Sequence, residues 1–337
     1  MLKVHAIPSY NPTGEYNACA YLRVINPLAE LDRKGKIDLS ISKKWNCGEG
    51  CDLVYLQRMC GTEMDFRSIV DLVHYCKAQH KRIIYELDDN LLDLDNISQE
   101  EKVIIRLLAR NATTLIVSTD MLKQRMQNFN KNIVVIPNML SLRLIDKNFQ
   151  KPKNGKIKIG YMGTYTHAND LQMIILPLVK ILKKYSSITE LELMGVTDDL
   201  GILTMLPNVK KISIAGRDGY DKFWSFVRSN INWDIGLAPL KKTEFTICKS
   251  DIKFLDYTAM NCSGIFSNHP SYSKTIKHLG NGLLVDDNVE TWYNSIEQMI
   301  LNDELRTKLL ENAREEFYEE RILENNIWRW EEIIFDS

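Results

Sequence analysis

The chain has no strong charge of either sign: 43 basic against 44 acidic residues leave a net charge of −1 over 337 residues. A global field that would draw in nucleic acid or anionic lipid is therefore excluded, and a charged ligand must be met by a local cluster. Nor is there a run of the roughly 18 apolar residues that a membrane-spanning helix needs. The nearest, "MIILPLVKIL" (173–182), is broken by Pro177 and Lys180. The opening "MLKVHAIPSY" lacks the basic and long apolar regions of a secretory leader. Seven cysteines, an odd number, are scattered along the chain, which fits reduced thiols in a cytosolic protein. "CGEGC" at 47–51 with Cys60 offers three metal ligands, but the spacing matches no tight zinc knuckle and no nearby histidine completes it. No short repeat and no low-complexity segment is present.

What the chain does have is length for about two domains and an apolar fraction of 45%, enough for each half to bury a core. Short β-branched runs alternate with amphipathic stretches. Strands are predicted at 2–7, 37–41, 52–57, 82–87, 114–118 and 132–137, with helices at 16–35, 66–80 and 121–129. A polar segment, "DKNFQKPKNGK" (146–156), reads as a linker. The alternation then restarts, with strands at 157–162, 190–195, 209–215, 233–240, 264–268 and 282–287. Helices are expected near 168–184, 220–229 and 248–260, and the tail is helical throughout. This predicts parallel sheets with right-handed crossovers, in an α/β architecture of two doubly wound halves meeting across a cleft. The boundaries follow as 1–148 for the first domain, 149–156 for the linker and 157–320 for the second. Residues 321–337 would form a helix packing back on the first domain; "WRWEE" (328–332) belongs to that packing.

In open α/β sheets ligands bind beyond the carboxyl ends of the strands. "IGYMGTYTHANDL" (159–171) leaves a strand and opens a helix: Gly160 and Gly163 permit a tight turn, and Thr164, Thr166, His167 and Asn169 supply hydrogen-bonding groups where exposed N–H groups suit a phosphate. It is neither a Walker loop nor a full dinucleotide fingerprint, which tells against ATPase and NAD chemistry. In "CKSDIKFLDYTAMNCSG" (248–264), Lys249, Lys253 and Asp256 fall at helical spacing and are expected to share one face. Ammonium groups there would neutralise a diphosphate, and a carboxylate would accept from a ribose diol. In the first half, "YELDDNLLDLD" ends a strand with Asp88 and Asp89, candidates to accept from a sugar hydroxyl or to serve as base. Arg58 follows another strand, where a salt bridge and an acceptor or phosphate contact are both open. Arg23 lies inside a helix, where a salt bridge and an acceptor contact are both open. His5 and His80 read as structural.

The ordered set "GYMGTYTHANDL", Tyr220 with Phe223, "WDIGLAPL", "CKSDIKFLDYTAMNCSGIFSN" and "NGLLVDD" resembles the carboxyl-terminal half of a retaining GT-B glycosyltransferase of the group 1 class, family 4. The amino-terminal half resembles it more loosely, in "ACAYLRVINPLAEL" (18–31), "YELDDNL" (85–91) and "VSTDML…VVIPNM" (117–139). The resemblance implies two Rossmann-like domains, a nucleotide-sugar donor in the second, transfer with retention, no metal and no cofactor. It also implies a glycan, lipid-linked glycan or glycoprotein acceptor, no nucleic-acid partner, and a cytoplasmic setting in bacterial surface polysaccharide or glycoconjugate synthesis. Contact with the inner face of a membrane, for which "KILKKY" (180–185) is a candidate, stays open. Asp256 matches the second Glu of the family's Glu-x7-Glu motif, the ribose contact, and Tyr257 adjoins it. The first Glu falls at Cys248, which cannot bind the donor sugar's hydroxyls; Glu244 and Lys249 are the possible replacements. The family's basic residue is also missing from "GTYTHAND", so Lys249 and Lys253 would carry more of the diphosphate charge. Three rivals remain: an epimerase on the same scaffold, a metal-dependent transferase using Asp93 and Asp95, and a non-catalytic nucleotide-sugar-binding subunit.

Overall fold

A computed structural model describes residues 1–11, 13–45, 50–61, 64–147, 155–164, 167–213 and 219–336. Cys47, Thr166 and residues 149–154 of the expected linker lie outside these. The chain forms two compact units. The first comprises residues 1–141, 247–250 and 322–337; the second comprises 142–246 and 251–321.

The first unit is built on a parallel sheet of β1 (Leu2–Ile7), β2 (Ile37–Ile41), β3 (Leu53–Gln57), β4 (Arg82–Leu87), β5 (Thr114–Val117) and β6 (Ile133–Val135), in the order β2-β1-β3-β4-β5-β6. β3 and β5 are buried at every position, as expected for strands covered on both faces. One face packs Ile69, Leu72 and Cys76 of the helix Phe66–Ala78 and Ile105 and Leu108 of the helix Gln99–Asn111. On the other lie Leu28 and Leu31 of the helix Asn26–Arg33 and Trp330 and Ile334 of the final helix, Trp328–Phe335. Order reverses between β1 and β3, which makes their carboxyl ends the place for a ligand.

The second unit carries β7 (Ile157–Met162), β8 (Thr189–Met194), β9 (Val209–Ile212), β10 (Ile235–Ala238), β11 (Ser263–Ser267) and β12 (Leu283–Val285), parallel and in the order β12-β11-β10-β7-β8-β9. That is the Rossmann strand order, with its switch point between β7 and β10. Gly160 in β7 lets the Trp233 ring lie flat on the strand; a Cβ there would meet that ring at 1.8 Å. Among the described residues no helix is long and apolar enough to cross a membrane.

Candidate functional site

At the carboxyl end of β7, Gly163 leaves room for the His167 ring, which a Cβ would meet at 2.7 Å. Thr164, exposed, accepts the His167 N–H through its carbonyl at 3.0 Å. The turn opens the helix Ala168–Lys184. Asp170, a buried residue the sequence reading passed over, lies 2.7 Å from His167 Nδ1 and accepts the Lys241 N–H at 2.8 Å. It therefore ties the loop after β7 to the loop after β10. The second loop is stapled by Thr246, whose hydroxyl donates to the Lys241 carbonyl and lies 3.3 Å from His269 Nε2. Burial first, and Lys242 second, push His269 down to about 4. Its Nδ1 accepts the Ser271 N–H, so the neutral ring keeps its proton on Nε2.

Lys253 and Asp256 stand on the helix Ile252–Ala259, each only 8% exposed. The Lys253 ammonium lies 5.8 Å from the Tyr161 ring centre, a cation–π arrangement. Asp256 Oδ1 is buried with no hydrogen-bond partner among the described residues. Burial pushes its carboxyl up to about 7, against the opposing pull of Lys253 and of the neighbouring Tyr220 hydroxyl. Such a group is costly to leave unpaired, and a hydroxyl donor would satisfy it. Tyr220, stacked on Phe223, supplies the wall beside it. Tyr257, by contrast, is wholly buried: its hydroxyl donates to the Leu237 carbonyl at 2.5 Å and its ring packs on Gly236. It supports β10 and presents no surface to a ligand.

Lys249 does not share the face expected for it. The helix begins only at Ile252, and residues 247–250 belong to the first unit. Tertiary packing overrides the helical spacing: Cys248 enters the first unit's core with Ile247 packed against it. Thr119 Oγ1 donates to the Cys248 carbonyl and Asn138 Nδ2 to Ser250 Oγ, each at 2.8 Å. This delivers Lys249 Nζ to 3.4 Å from both oxygens of Asp89. Arg58, with a positive φ of 52°, forks onto Asp88 through two bonds of 2.6 Å and lies 3.5 Å from Asp89. Burial pushes Asp88 up, but Arg58 more than offsets it, and the carboxyl ends below its ordinary range. Arg58, Asp88, Asp89 and Lys249 thus form one alternating cluster at the ends of β3 and β4.

Arg23 is 1% exposed and turned inward on a π-helical turn, Tyr21–Ile25. It donates to Glu86 at 2.7 Å, to the Ile136 carbonyl at 2.5 Å and to Asn138 at 3.3 Å. The salt bridge is what the structure shows, and burial leaves no route to an acceptor. Gln57 bonds the other Glu86 oxygen and accepts the Ser9 N–H. Burial drives Glu86 up to about 7, with Arg23 opposing. Glu86 and Gln57 escaped the sequence reading, although a polar residue inside an apolar strand was the available signal. Asp93 pairs with Arg125 and Asn90, and among the described residues no three His, Cys, Asp or Glu side chains converge on a metal position.

No family model matches the sequence, and no curated protein does. Solved structures do match the fold. Sucrose-phosphate synthase from Thermosynechococcus elongatus superposes with a TM-score of 0.69 at 12% identity, over 100% of this chain and 99% of that one. Anabaena HepE, solved with UDP and glucose, gives 0.70 at 11% identity over the whole of both chains. A glycosyltransferase from Rickettsia africae gives 0.66 at 13%, over 100% of this chain and 99% of that one. At these identities the likeness establishes the fold, that of the GT-B glycosyltransferases.

Proposed function

We propose that the protein is a retaining, metal-independent glycosyltransferase of the group 1 type, moving a sugar from a nucleoside-diphosphate donor to a glycan or glycoconjugate hydroxyl. One observation carries the reading. Asp256 keeps a buried, unpaired carboxylate oxygen one helical turn from a buried ammonium, beside the switch point of a Rossmann-ordered sheet. A ribose hydroxyl would satisfy Asp256, and Lys253 with the start of the helix Ala168–Lys184 would hold the diphosphate. His167, oriented by Asp170, faces the same end of the sheet.

As the bond from the anomeric carbon to the diphosphate oxygen breaks, charge grows on the leaving group, and preorganised cations lower that barrier. The acceptor oxygen bonds the anomeric carbon, and its proton goes to the departing phosphate. We assign Lys249 to the acceptor side, keeping Asp89 ionised and in place. Full coverage of HepE, solved with UDP and glucose, supports a UDP-sugar donor. Synthesis of bacterial surface glycans at the cytoplasmic face of the membrane is the setting we infer.

The test is release of UDP, GDP or dTDP from a panel of nucleotide sugars, with and without glycan acceptors. Release that requires acceptor supports the transferase, and release without it indicates an epimerase or hydrolase. Binding without turnover would favour a non-catalytic subunit, a reading supported by Cys248, which stands at the first Glu position and is packed into a core.

A further inference from the structure

Both carboxylate oxygens of Asp170, a buried residue, are engaged within the second unit. Oδ2 lies 2.7 Å from His167 Nδ1, and Oδ1 accepts the Lys241 N–H at 2.8 Å. His167 stands at the N-cap position of the helix Ala168–Lys184, yet its side chain caps no backbone N–H there. The ring turns to Asp170 instead. Its Cγ–Cδ2 side lies against Gly163, where a Cβ would meet Cδ2 at 2.7 Å and Cγ at 3.0 Å. Held on these two sides, the ring directs its Cε1–Nε2 edge away from both.

A carboxylate only accepts, so Nδ1 carries a proton. Nε2 then donates only when the ring holds both protons. Asp170 on one nitrogen and a phosphate on the other would each favour that imidazolium. Lys249 faces Asp89 in the first unit, which leaves Lys253 as the buried cation assigned to the diphosphate. Around Asp170, Lys241 and Lys242 are exposed, Asp286 and Asp287 oppose them, and His269 is neutral. Tyr161 and Tyr272 face the same carboxylate as neutral phenols. We infer that Asp170 is a positioning residue for glycosyl transfer, holding His167 as an imidazolium whose Nε2–H donates to the donor diphosphate. The pair would thus supply the cation missing from "GTYTHAND". This inference rests on the transferase reading above.

Asp170→Asn isolates the effect. The Lys241 N–H only donates, so the amide oxygen must face it and the amide nitrogen must face His167. That nitrogen only donates in turn, so Nδ1 becomes an acceptor and the ring proton moves to Nε2. Proton–nitrogen correlation spectra should show His167 changing from a protonated Nδ1 to the neutral Nε2–H tautomer. Titration with UDP, GDP and dTDP, and with their nucleosides, reads the contact. Asp170→Asn and His167→Gln should each lose at least ten-fold in affinity for the diphosphate that the parent binds. Its nucleoside should bind within two-fold of the parent, with the melting temperature within a few degrees. With the active donor, kcat should fall at least ten-fold and KM change less than three-fold. Equal losses for nucleoside and diphosphate would make Asp170 structural and overturn the inference, as would an unchanged tautomer. If the parent binds a diphosphate and both variants bind it equally well, this inference fails and the transferase reading stands. If the parent binds none of the three, both fail.

Discussion

Lys249 holds its ammonium 3.4 Å from both carboxylate oxygens of Asp89, a residue 160 positions earlier in the chain. The side chains are 24% and 18% exposed, so the pair contributes no more than about 1 kcal/mol to stability. Lys249→Ala should therefore melt within a few degrees of the parent. Turnover should fall at least ten-fold while the Kd for UDP is unchanged, and Lys249→Arg should recover part of the loss. A raised UDP Kd in isothermal titration would return Lys249 to the diphosphate.

Asp256 gives a pH signature. Its carboxyl is raised from 3.8 to about 7 in the folded state, so the folded chain holds that proton more tightly than the unfolded one. The associated stability is complete below pH 4 and lost as pH rises through 7. Asp256→Asn removes the penalty: it should match the parent near pH 4 and exceed it at pH 8 by up to ~4 kcal/mol. The same change should weaken UDP by about ten-fold through the lost ribose bond. Urea unfolding at the two pH values, with UDP titration, checks both signs.

Arg23 and Glu86 are buried together. Removing one partner of a buried pair leaves the other uncompensated, so Arg23→Ala should cost about 3–5 kcal/mol in urea unfolding. Glu86→Gln keeps an oxygen for Gln57 but leaves the Arg23 guanidinium buried without its carboxylate, and should cost at least as much. An Arg23→Ala protein of undiminished stability would reopen an acceptor role for this residue.

Two glycines separate steric from conformational cost. Gly160→Ala drives a Cβ into Trp233, whose indole N–H is itself held by Glu192 at 2.8 Å, and should cost ~3 kcal/mol or more. Gly35 has open space but a φ of +66°, so Gly35→Ala should cost only about 1 kcal/mol. Thermal unfolding of the two variants ranks them.

Alternation of apolar strands and amphipathic helices was enough to read two parallel α/β halves, because each strand's burial is a local property of its side chains. Strand order was not legible: β2 lies outside β1 through pairing that no local pattern encodes. The helix Gln99–Asn111 had a clear signal, the Ser98–Glu101 capping box, which the periodicity reading passed over. Lys253 and Asp256 could be read because their spacing and their helix coincide. Lys249 could not, since its position depends on where Cys248 finds a core. Asp170 reaches the loop after β10 through a backbone N–H, a contact that leaves no mark on the partner's residue type.

The first unit draws on the end of the chain for its own interior: Leu323, Ile327 and Trp330 pack with Val24, Leu28 and Tyr55. Synthesis runs from the amino terminus, so the half that is translated first cannot complete its core until residues 323–334 have been made. The second unit, residues 142–246 and 251–321, is begun later but has all its residues sooner. On the ribosome the second unit is thus the first to finish, and a truncated transcript would strand an unfinished amino-terminal half beside a completed carboxyl-terminal one.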